Sequence, residues 1–230
     1  MTPIGILCAG DEELAPFLPH IQNAAVTHKA MLTFYEGQIN GQAVVALYSG
    51  VCKVNAAIAA QILIDTYRVG ILINAGTAGG MDEKIQLLDT VIATQAAYHD
   101  VDDGILTEFH PWLPSVYFES DPGLVHCAEI LCAAHPHIYL GRMVTGEQFI
   151  TDALRHDINK KYAPLTVDME TASVAHVCHV NGIPFIAIRS VTDTAAHAGL
   201  QNFEQNCRQA ASIAKGVTLE FLTLLAGRLP

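Results

Sequence analysis

Apolar runs of strand length alternate along this chain with longer stretches in which apolar residues recur at helical spacing. Runs such as VGILINAG (69–76) and PFIAIRSV (184–191) are almost continuously apolar, which is typical of strands covered on both faces. The pattern predicts strands at 4–9, 32–39, 43–49, 69–76, 89–96, 138–145, 163–168 and 184–191, and helices at 53–67, 121–134, 151–161, 169–181 and 202–226.

The alternation of strands and helices indicates an α/β protein with helices on both faces of a sheet. Asn40-Gly41 lies between the runs 32–39 and 43–49, and this dipeptide is a strong signal for a β-hairpin. The segment 100–120 is mixed in character and holds two prolines and the only tryptophan, so we interpret it as a functional loop or an interface. We expect one three-layer α/β domain over residues 1–230.

Composition narrows the class of protein. Apolar residues make up 51% of the 230 residues and charged residues 15%, which excludes a disordered chain. A net charge of −11, with 12 scattered Lys and Arg, argues against a nucleic-acid partner. No apolar run reaches the ~18 residues of a membrane span. Six cysteines without disulfide-like spacing, and a start without a basic signal region, predict a reduced cytoplasmic setting.

Three carboxylates are the strongest candidates for chemistry, because each follows a predicted strand. Glu13 closes IGILCAGDEE, Glu170 lies in TVDMETAS, and Asp193 ends FIAIRSVTD. The carboxyl ends of strands in an α/β sheet meet in one crevice, so these side chains are expected to act together as acid and base on a sugar-like bond. Locally, each also fits an ordinary role: an acidic first helical turn, a helix-dipole contact and a cap.

Two further motifs have weaker signals. The glycine-rich INAGTAGG (73–80) follows a strand and allows close backbone approach to a ligand, but it lacks the spacing of a dinucleotide site and the lysine of a triphosphate loop. A tight turn without a ligand is the alternative. His176, Cys178 and His179 resemble metal ligands in type, yet a structural zinc site needs four. We expect no metal and no cofactor.

Together these phrases resemble the 5′-methylthioadenosine/S-adenosylhomocysteine nucleosidases, within the nucleoside phosphorylase superfamily. The resemblance runs through most of the chain, in the order IGILCAGDEE, YSGVCKVNAA (48–57), ILINAGTAGG, YHDVD (98–102), VTGEQFI (144–150), VDMETASVAHVC (167–178) and RSVTD (189–193). It implies a three-layer αβα sandwich with a central mixed sheet, usually as a homodimer, and a small-molecule nucleoside substrate.

The resemblance also implies a role for each site residue. Asp193 resembles the general acid that protonates adenine N7, and Glu13 the residue that activates water, with Arg189 positioning that water. Glu170 and Met169 resemble the ribose contacts. Phe149 is similar to the ring that stacks on adenine and Ile150 to the residue whose backbone pairs with the base edge. Thr77, Ala78 and Gly79 resemble the loop beside base and sugar.

Alternatives remain open at this point. A nucleoside phosphorylase would need Arg or Lys around its phosphate, whereas the loop after the first strand reads CAGDEEL, which favours water as nucleophile. An aminodeoxyfutalosine nucleosidase is a second enzymatic alternative, since Gly10, Cys52 and the segment 103–118 differ from the usual family phrases. A non-catalytic nucleoside-binding protein on the same fold is the third.

Overall fold

The computed structural model describes residues 2–150, 152–194 and 200–227. Within them the strands are β1 (Ile4–Cys8), β2 (Gln22–Lys29), β3 (Leu32–Ile39), β4 (Gln42–Tyr48), β5 (Ile71–Gly80), β6 (Thr90–Tyr98), β7 (Phe118–Glu119), β8 (Ile138–Thr145), β9 (Thr166–Asp168) and β10 (Phe185–Asp193). The helices are α1 (Asp11–Leu14), α2 (Lys53–Asp65), α3 (Asp103–Glu108), α4 (Pro122–Ala134), α5 (Asp152–Tyr162), α6 (Thr171–Asn181) and α7 (Leu200–Ala226), with a 3₁₀ turn at Leu18–His20.

These strands form one mixed sheet in the order β10-β6-β8-β9-β5-β1-β4-β3-β2, with β7 paired to β6. The sheet also closes on itself, because β10 pairs with β5 as well as with β6. The long β5 makes this possible: it runs parallel to β1 and β10, and its last two residues pair antiparallel with β9. The ring β10-β6-β8-β9-β5 therefore brings the carboxyl ends of β5, β9 and β10 together.

The sheet separates two apolar layers. Because side chains alternate along a strand, Leu7 packs with α2 and α6 on one face, while Ile6 packs with α4 and α7 on the other. A smaller cluster holds α5 through Ile158 and Tyr162 against Met81 and Val167. Helices thus cover both faces of a mixed sheet, which confirms the predicted three-layer α/β fold.

Most predicted elements are present, with shifted ends. The predicted hairpin is confirmed, since Asn40 and Gly41 have φ of 51° and 80° and Ile39 pairs with Gln42. The sequence pattern missed β2, because its residues QNAAVTHK are exposed throughout at the edge of the sheet and show no alternation of apolar and polar positions. It also missed α3 and β7 inside the segment 100–120. None of the helices in the described part of the chain is both long and apolar enough to cross a bilayer.

Phe221 provides a test of this packing. Its side chain is fully buried where α7 lies on the sheet, in the same cluster as Ile73 and Ile188. We expect Phe221→Ala to lower the free energy of unfolding by about 3–5 kcal/mol, because it removes apolar contacts and leaves a cavity. Urea denaturation followed by circular dichroism measures the change. Ser212→Ala, at an exposed position of the same helix, is the control; a loss equal to that of the control would contradict this account of the core.

Candidate active site

A cavity of about 260 Å³ opens at the carboxyl ends of β1, β5, β9 and β10. Nine of the ten predicted site residues line it: Glu13, Thr77, Ala78, Gly79, Phe149, Ile150, Met169, Glu170 and Asp193. The tenth, Arg189, is completely buried behind them. Residues separated by up to 180 positions in the chain therefore meet in one site, as the strand-end argument predicted.

Glu13 is held by four donors. Its Oε2 accepts hydrogen bonds from the backbone N–H groups of Ala9 (2.7 Å) and Gly10 (3.2 Å), and Oε1 accepts from the backbone N–H (2.6 Å) and the hydroxyl (2.8 Å) of Thr77. The contact to Gly10 is half of a capping box at the start of α1. Asp11 is exposed and Glu13 is buried, so the acidic turn directs one carboxylate into the cavity.

The glycine-rich segment INAGTAGG (73–80) makes room for the Glu13 carboxylate and donates hydrogen bonds to it. A Cβ atom at Gly76 would lie 2.5 Å from Cδ and Oε1 of Glu13, far inside van der Waals contact. Thr77 uses both its donors on the same side chain. The close approach anticipated for INAGTAGG is therefore made, at Gly76, by a side chain of the protein itself.

Arg189 binds three carboxylates from beneath the cavity. Its guanidinium lies 3.6 Å from Glu13 Oε1, 3.2 Å from Asp168 Oδ2 and 3.3 Å from Glu170 Oε2, and Nη2 donates to Asn74 Oδ1 at 2.7 Å. One cation among three buried carboxylates leaves a surplus of negative charge if all are ionised. Burial raises the pKa of Glu170 to about 7, against the attraction of Arg189, and the neighbouring carboxylates add to the rise.

Asp168 and Glu170 have different roles at the start of α6. The Asp168 carboxylate accepts from the backbone N–H groups of Glu170 (3.2 Å) and Thr171 (3.1 Å) and from the Thr145 hydroxyl (2.6 Å). Asp168 thus satisfies two donors at the start of α6, although Glu170 occupies the N-cap position and the helix begins at Thr171 and not at 169. The Glu170 side chain makes no capping bond and is left to face the cavity.

Cys52 supplies a second support for Glu170. Its backbone N–H donates to Glu170 Oε1 at 2.9 Å from the turn that begins α2. Cys52 has φ of 80°, a conformation that favours glycine, so this turn is maintained with an unfavourable residue. The turn positions a donor at the floor of the cavity.

Asp193 is the last residue of β10 and lines the cavity. It lies opposite Gly79 of β5, and its Oδ1 accepts from the Thr192 hydroxyl at 2.8 Å. Burial raises the pKa of the Asp193 carboxyl, while the Thr192 hydrogen bond and the charge of Arg155 oppose the rise. This environment favours the protonated form more than an exposed position does.

Two aromatic rings also line the cavity. The Phe149 side chain is about half exposed at the cavity and meets Phe203 of α7 edge to face, with ring centroids 5.8 Å apart and planes at 71°. Ile150 follows Phe149 along the wall. The exposed part of the Phe149 ring offers a flat apolar surface to a ligand in the cavity.

Sequence reasoning missed several lining residues. Arg155 of α5 and Phe203 and Cys207 of α7 line the cavity together with Val51, Gln148 and Asp168. Arg155, Phe203 and Cys207 lie on helices, which carry no strand-end signal, and locally each is typical of a solvated or packed helix face. Only the packing of α5 and α7 against the sheet brings them to the site.

The histidines of α6 serve packing. The His176 ring stacks on Phe118 at 4.8 Å, and His179 contacts the same ring at 5.8 Å. Cys178 is buried in the core beneath them. Across the residues that the structure describes, no three His, Cys, Asp or Glu side chains are grouped so that they could hold a metal ion.

Comparison with known proteins gives the family. A sequence model of the phosphorylase superfamily matches residues 3–223. A 5′-methylthioadenosine/S-adenosylhomocysteine nucleosidase from Anoxybacillus flavithermus is 36% identical over 218 residues, which cover 90% of this chain and 92% of the relative.

Solved structures of similar proteins have the same fold as this chain. The nucleosidase of the same name from S. pneumoniae, solved with a transition-state inhibitor, superposes with a TM-score of 0.89 at 33% identity, over 97% of this chain and 100% of that chain. The futalosine hydrolase of Helicobacter pylori has a TM-score of 0.86 at 25% identity, over 99% and 98%. On the length and identity of these matches, the chain belongs to the phosphorylase superfamily and, within it, to the family of 5′-methylthioadenosine/S-adenosylhomocysteine nucleosidases.

Proposed function

We propose that this chain hydrolyses the N-glycosidic bond of 5′-methylthioadenosine and S-adenosylhomocysteine, releasing adenine and the 5′-thioribose product. The observation that carries the proposal is that one cavity is lined by carboxylates in different surroundings. Asp193, whose surroundings favour its protonated form, lies opposite Gly79 of β5, whereas the buried Glu13 carboxylate lies against Gly76 and Glu170 is held beside Arg189. Breaking this bond needs an acid for the base and negative charge near the sugar.

Asp193 acts as the general acid in this proposal. Adenine is a poor leaving group until N7 is protonated, and a carboxyl whose pKa is raised by burial retains more of its proton near neutral pH. The Asp193 proton passes to N7 while the electron pair of the C1′–N9 bond moves to the base. Phe149 stacks on adenine and the backbone of Ile150 pairs with its edge, while Thr77, Ala78 and Gly79 lie beside base and sugar.

Glu13 and Glu170 act on the sugar and the nucleophile. Glu170 accepts hydrogen bonds from the 2′ and 3′ hydroxyls, with Met169 against the ribose. Glu13 takes a proton from the water whose oxygen attacks C1′, and its charge stabilises the positive charge that develops on the ribose. Arg189 positions the water through Glu13, since its guanidinium is buried behind that carboxylate.

Water is favoured over phosphate by the charges at the cavity. Asp11, Glu12 and Glu13 line the cavity, and Arg189 is already surrounded by three carboxylates. Arg155, the other arginine at the described site, binds the carbonyl oxygen of Gly80 and forms no contact with Glu13. A phosphate ion beside Glu13 would be repelled, and a phosphate site prefers arginine or lysine free to bind it. The acidic loop predicted to exclude phosphate thus lines the site.

A futalosine-type substrate is the second candidate, because the H. pylori futalosine hydrolase is a structural neighbour. The acid and ribose contacts proposed here serve any adenine nucleoside, so the two candidates differ at the 5′ end of the cavity. A non-catalytic binding protein has less support, since binding alone does not require both an acid and a water-activating carboxylate.

The setting of the enzyme is part of the same proposal. We infer that it works as a homodimer in the cytoplasm and contributes to methionine salvage. Large exposed apolar side chains support the dimer, because they concentrate on α2 and on the segment around α3: Val51, Val54, Ile58, Ile105, Phe109 and Trp112. Six free cysteines in the described residues fit a reduced compartment.

Adenine release decides between the candidate reactions. We expect adenine from methylthioadenosine and S-adenosylhomocysteine in phosphate-free buffer, with free thioribose and no acceleration by added phosphate. Chromatography of the products provides the measurement, with aminodeoxyfutalosine as a third substrate. Strict dependence on phosphate would establish a phosphorylase, and turnover of aminodeoxyfutalosine alone would establish the second candidate.

Asp193→Asn removes the transferable proton and nearly preserves side-chain shape. We expect kcat to fall by about 10²–10⁴-fold, the usual contribution of a general acid, while the Kd for methylthioadenosine stays within a few-fold. Rapid-quench kinetics and calorimetry measure the two quantities. Asp157→Asn, the same change at an exposed position of α5, is the control and is expected to retain activity. Normal turnover in Asp193→Asn would exclude its role as acid.

Gly76→Ala tests the position of Glu13. The new methyl group would overlap the Glu13 carboxylate and displace it from Thr77. A misplacement of about 1 Å can lower kcat by about 10²-fold, so we expect a loss of that order with the fold retained. Gly216→Ala is the matched control, because a Cβ there meets nothing within 4 Å. Equal kcat in both variants would contradict the role of Glu13.

A further inference from the structure

Arg155 is a buried cation without an ion pair among the described residues. Its side chain is 7% exposed and lines the cavity. Its Nη1 donates to the carbonyl oxygen of Gly80 and contacts Met81 Sδ at 3.3 Å, whereas its Nε, also buried, has no hydrogen-bond partner in the described structure. A guanidinium in such a place is costly unless its charge interacts with something.

Asp193 is the candidate for that interaction, because the two residues act on each other electrostatically. In the β5–β10 register Asp193 lies opposite Gly79, with Oδ2 only 3.1 Å from the position of a Cβ atom at Gly79. The Asp193 carbonyl oxygen is 3.4 Å from the corresponding position at Gly80, whose own carbonyl accepts from Arg155. Carboxyl and guanidinium therefore flank the same two glycines at the end of β5. The positive charge of Arg155 lowers the pKa of Asp193, against the effect of burial.

We propose that Arg155 is a positioning residue for proton transfer to the base: it holds the end of β5 in place and stabilises the Asp193 carboxylate formed when the proton has moved to N7. This inference rests on the proposed function. The proton moves from Asp193 to adenine N7, the electrons of the C1′–N9 bond move to the base, and Arg155 keeps its protons throughout. Its contribution is electrostatic and is largest after transfer, when Asp193 is negative.

The other titratable groups of the described site are either already paired with carboxylates or cannot carry a positive charge. Arg189 of β10 is surrounded by carboxylates from α1, β9 and the start of α6. The remaining titratable side chains that line the described cavity are acids or a thiol: Asp11, Glu12, Glu13, Asp168, Glu170 and Cys207. Within the described lining, Arg155 is therefore the cation available to balance Asp193.

The test compares a variant that removes the charge at position 155 with one that keeps it, so that the effect of the charge is separated from that of the side-chain contacts. Arg155→Met keeps much of the apolar stem and removes the charge, whereas Arg155→Lys keeps a charge. Arg142→Met is the matched control, at an exposed arginine outside the cavity. For each protein, kcat and kcat/KM for methylthioadenosine are measured against pH. The titration of Asp193 is measured independently from infrared difference spectra against the Asp193→Asn variant in the same background.

The sign of the expected shift follows from the charge. Asp193 is active when protonated, so activity falls as pH rises through its pKa. Removing a nearby positive charge raises that pKa, so in Arg155→Met we expect the alkaline limb and the infrared titration to move to higher pH by about one unit. A weaker acid also transfers its proton less readily, and we expect the plateau of kcat to fall about tenfold. Arg155→Lys and Arg142→Met are expected to stay near the wild-type pH values.

Two outcomes would overturn the inference. One is an infrared titration of Asp193 that does not move in Arg155→Met; the other is an equal fall of kcat in the Met and Lys variants without a shift, which would indicate a purely structural contact to Gly80. If the wild-type enzyme released no adenine, the proposed reaction would fail. The infrared titration would still decide the role of Arg155, so the two failures are distinguishable.

Discussion

The ion cluster around Arg189 is the interaction on which the site depends. One guanidinium, buried in the middle of the protein, binds carboxylates from three parts of the chain: Glu13 after β1, Asp168 at the end of β9 and Glu170 at the start of α6. Removing one partner from such a cluster typically costs about 3–5 kcal/mol, because the remaining charge is left without compensation. The cluster therefore holds two carboxylates of our proposal, the water-activating Glu13 and the ribose-binding Glu170, in place before any substrate binds.

The sheet has an unusual form that makes this cluster possible. Because β5 pairs with β1, β9 and β10, the sheet curls into a ring and the carboxyl ends of its strands converge. Glycines at the end of β5 leave room for the converging side chains: the Glu13 carboxylate fits against Gly76, and Asp193 lies against Gly79. The positions of the Glu13 and Asp193 carboxylates therefore depend on the absence of a side chain at Gly76 and Gly79.

The carboxylates of the cavity also lie in different surroundings. Glu13 accepts four hydrogen bonds, which fix its orientation in the cavity. Asp193 accepts one from Thr192 at 2.8 Å and lies where burial raises its pKa. In our proposal these different surroundings let one carboxyl group act as the acid and another as the base, and Arg155 stabilises the ionised form of the acid.

The amino-acid sequence by itself determined the α/β class, the buried strands and the hairpin at Asn40-Gly41, because apolar periodicity and turn preference are local properties. It also placed Glu13, Glu170 and Asp193 at strand ends, and the family resemblance assigned them roles. It did not show β2, an exposed edge strand without apolar alternation, nor the closing of the sheet. It showed no reason to single out Arg155 or Phe203, and it left open whether the glycines of INAGTAGG approach a ligand or only form a turn. Those features depend on which distant elements pack together, and the energy of a buried charge is set by all its neighbours at once, so only the tertiary structure decided them.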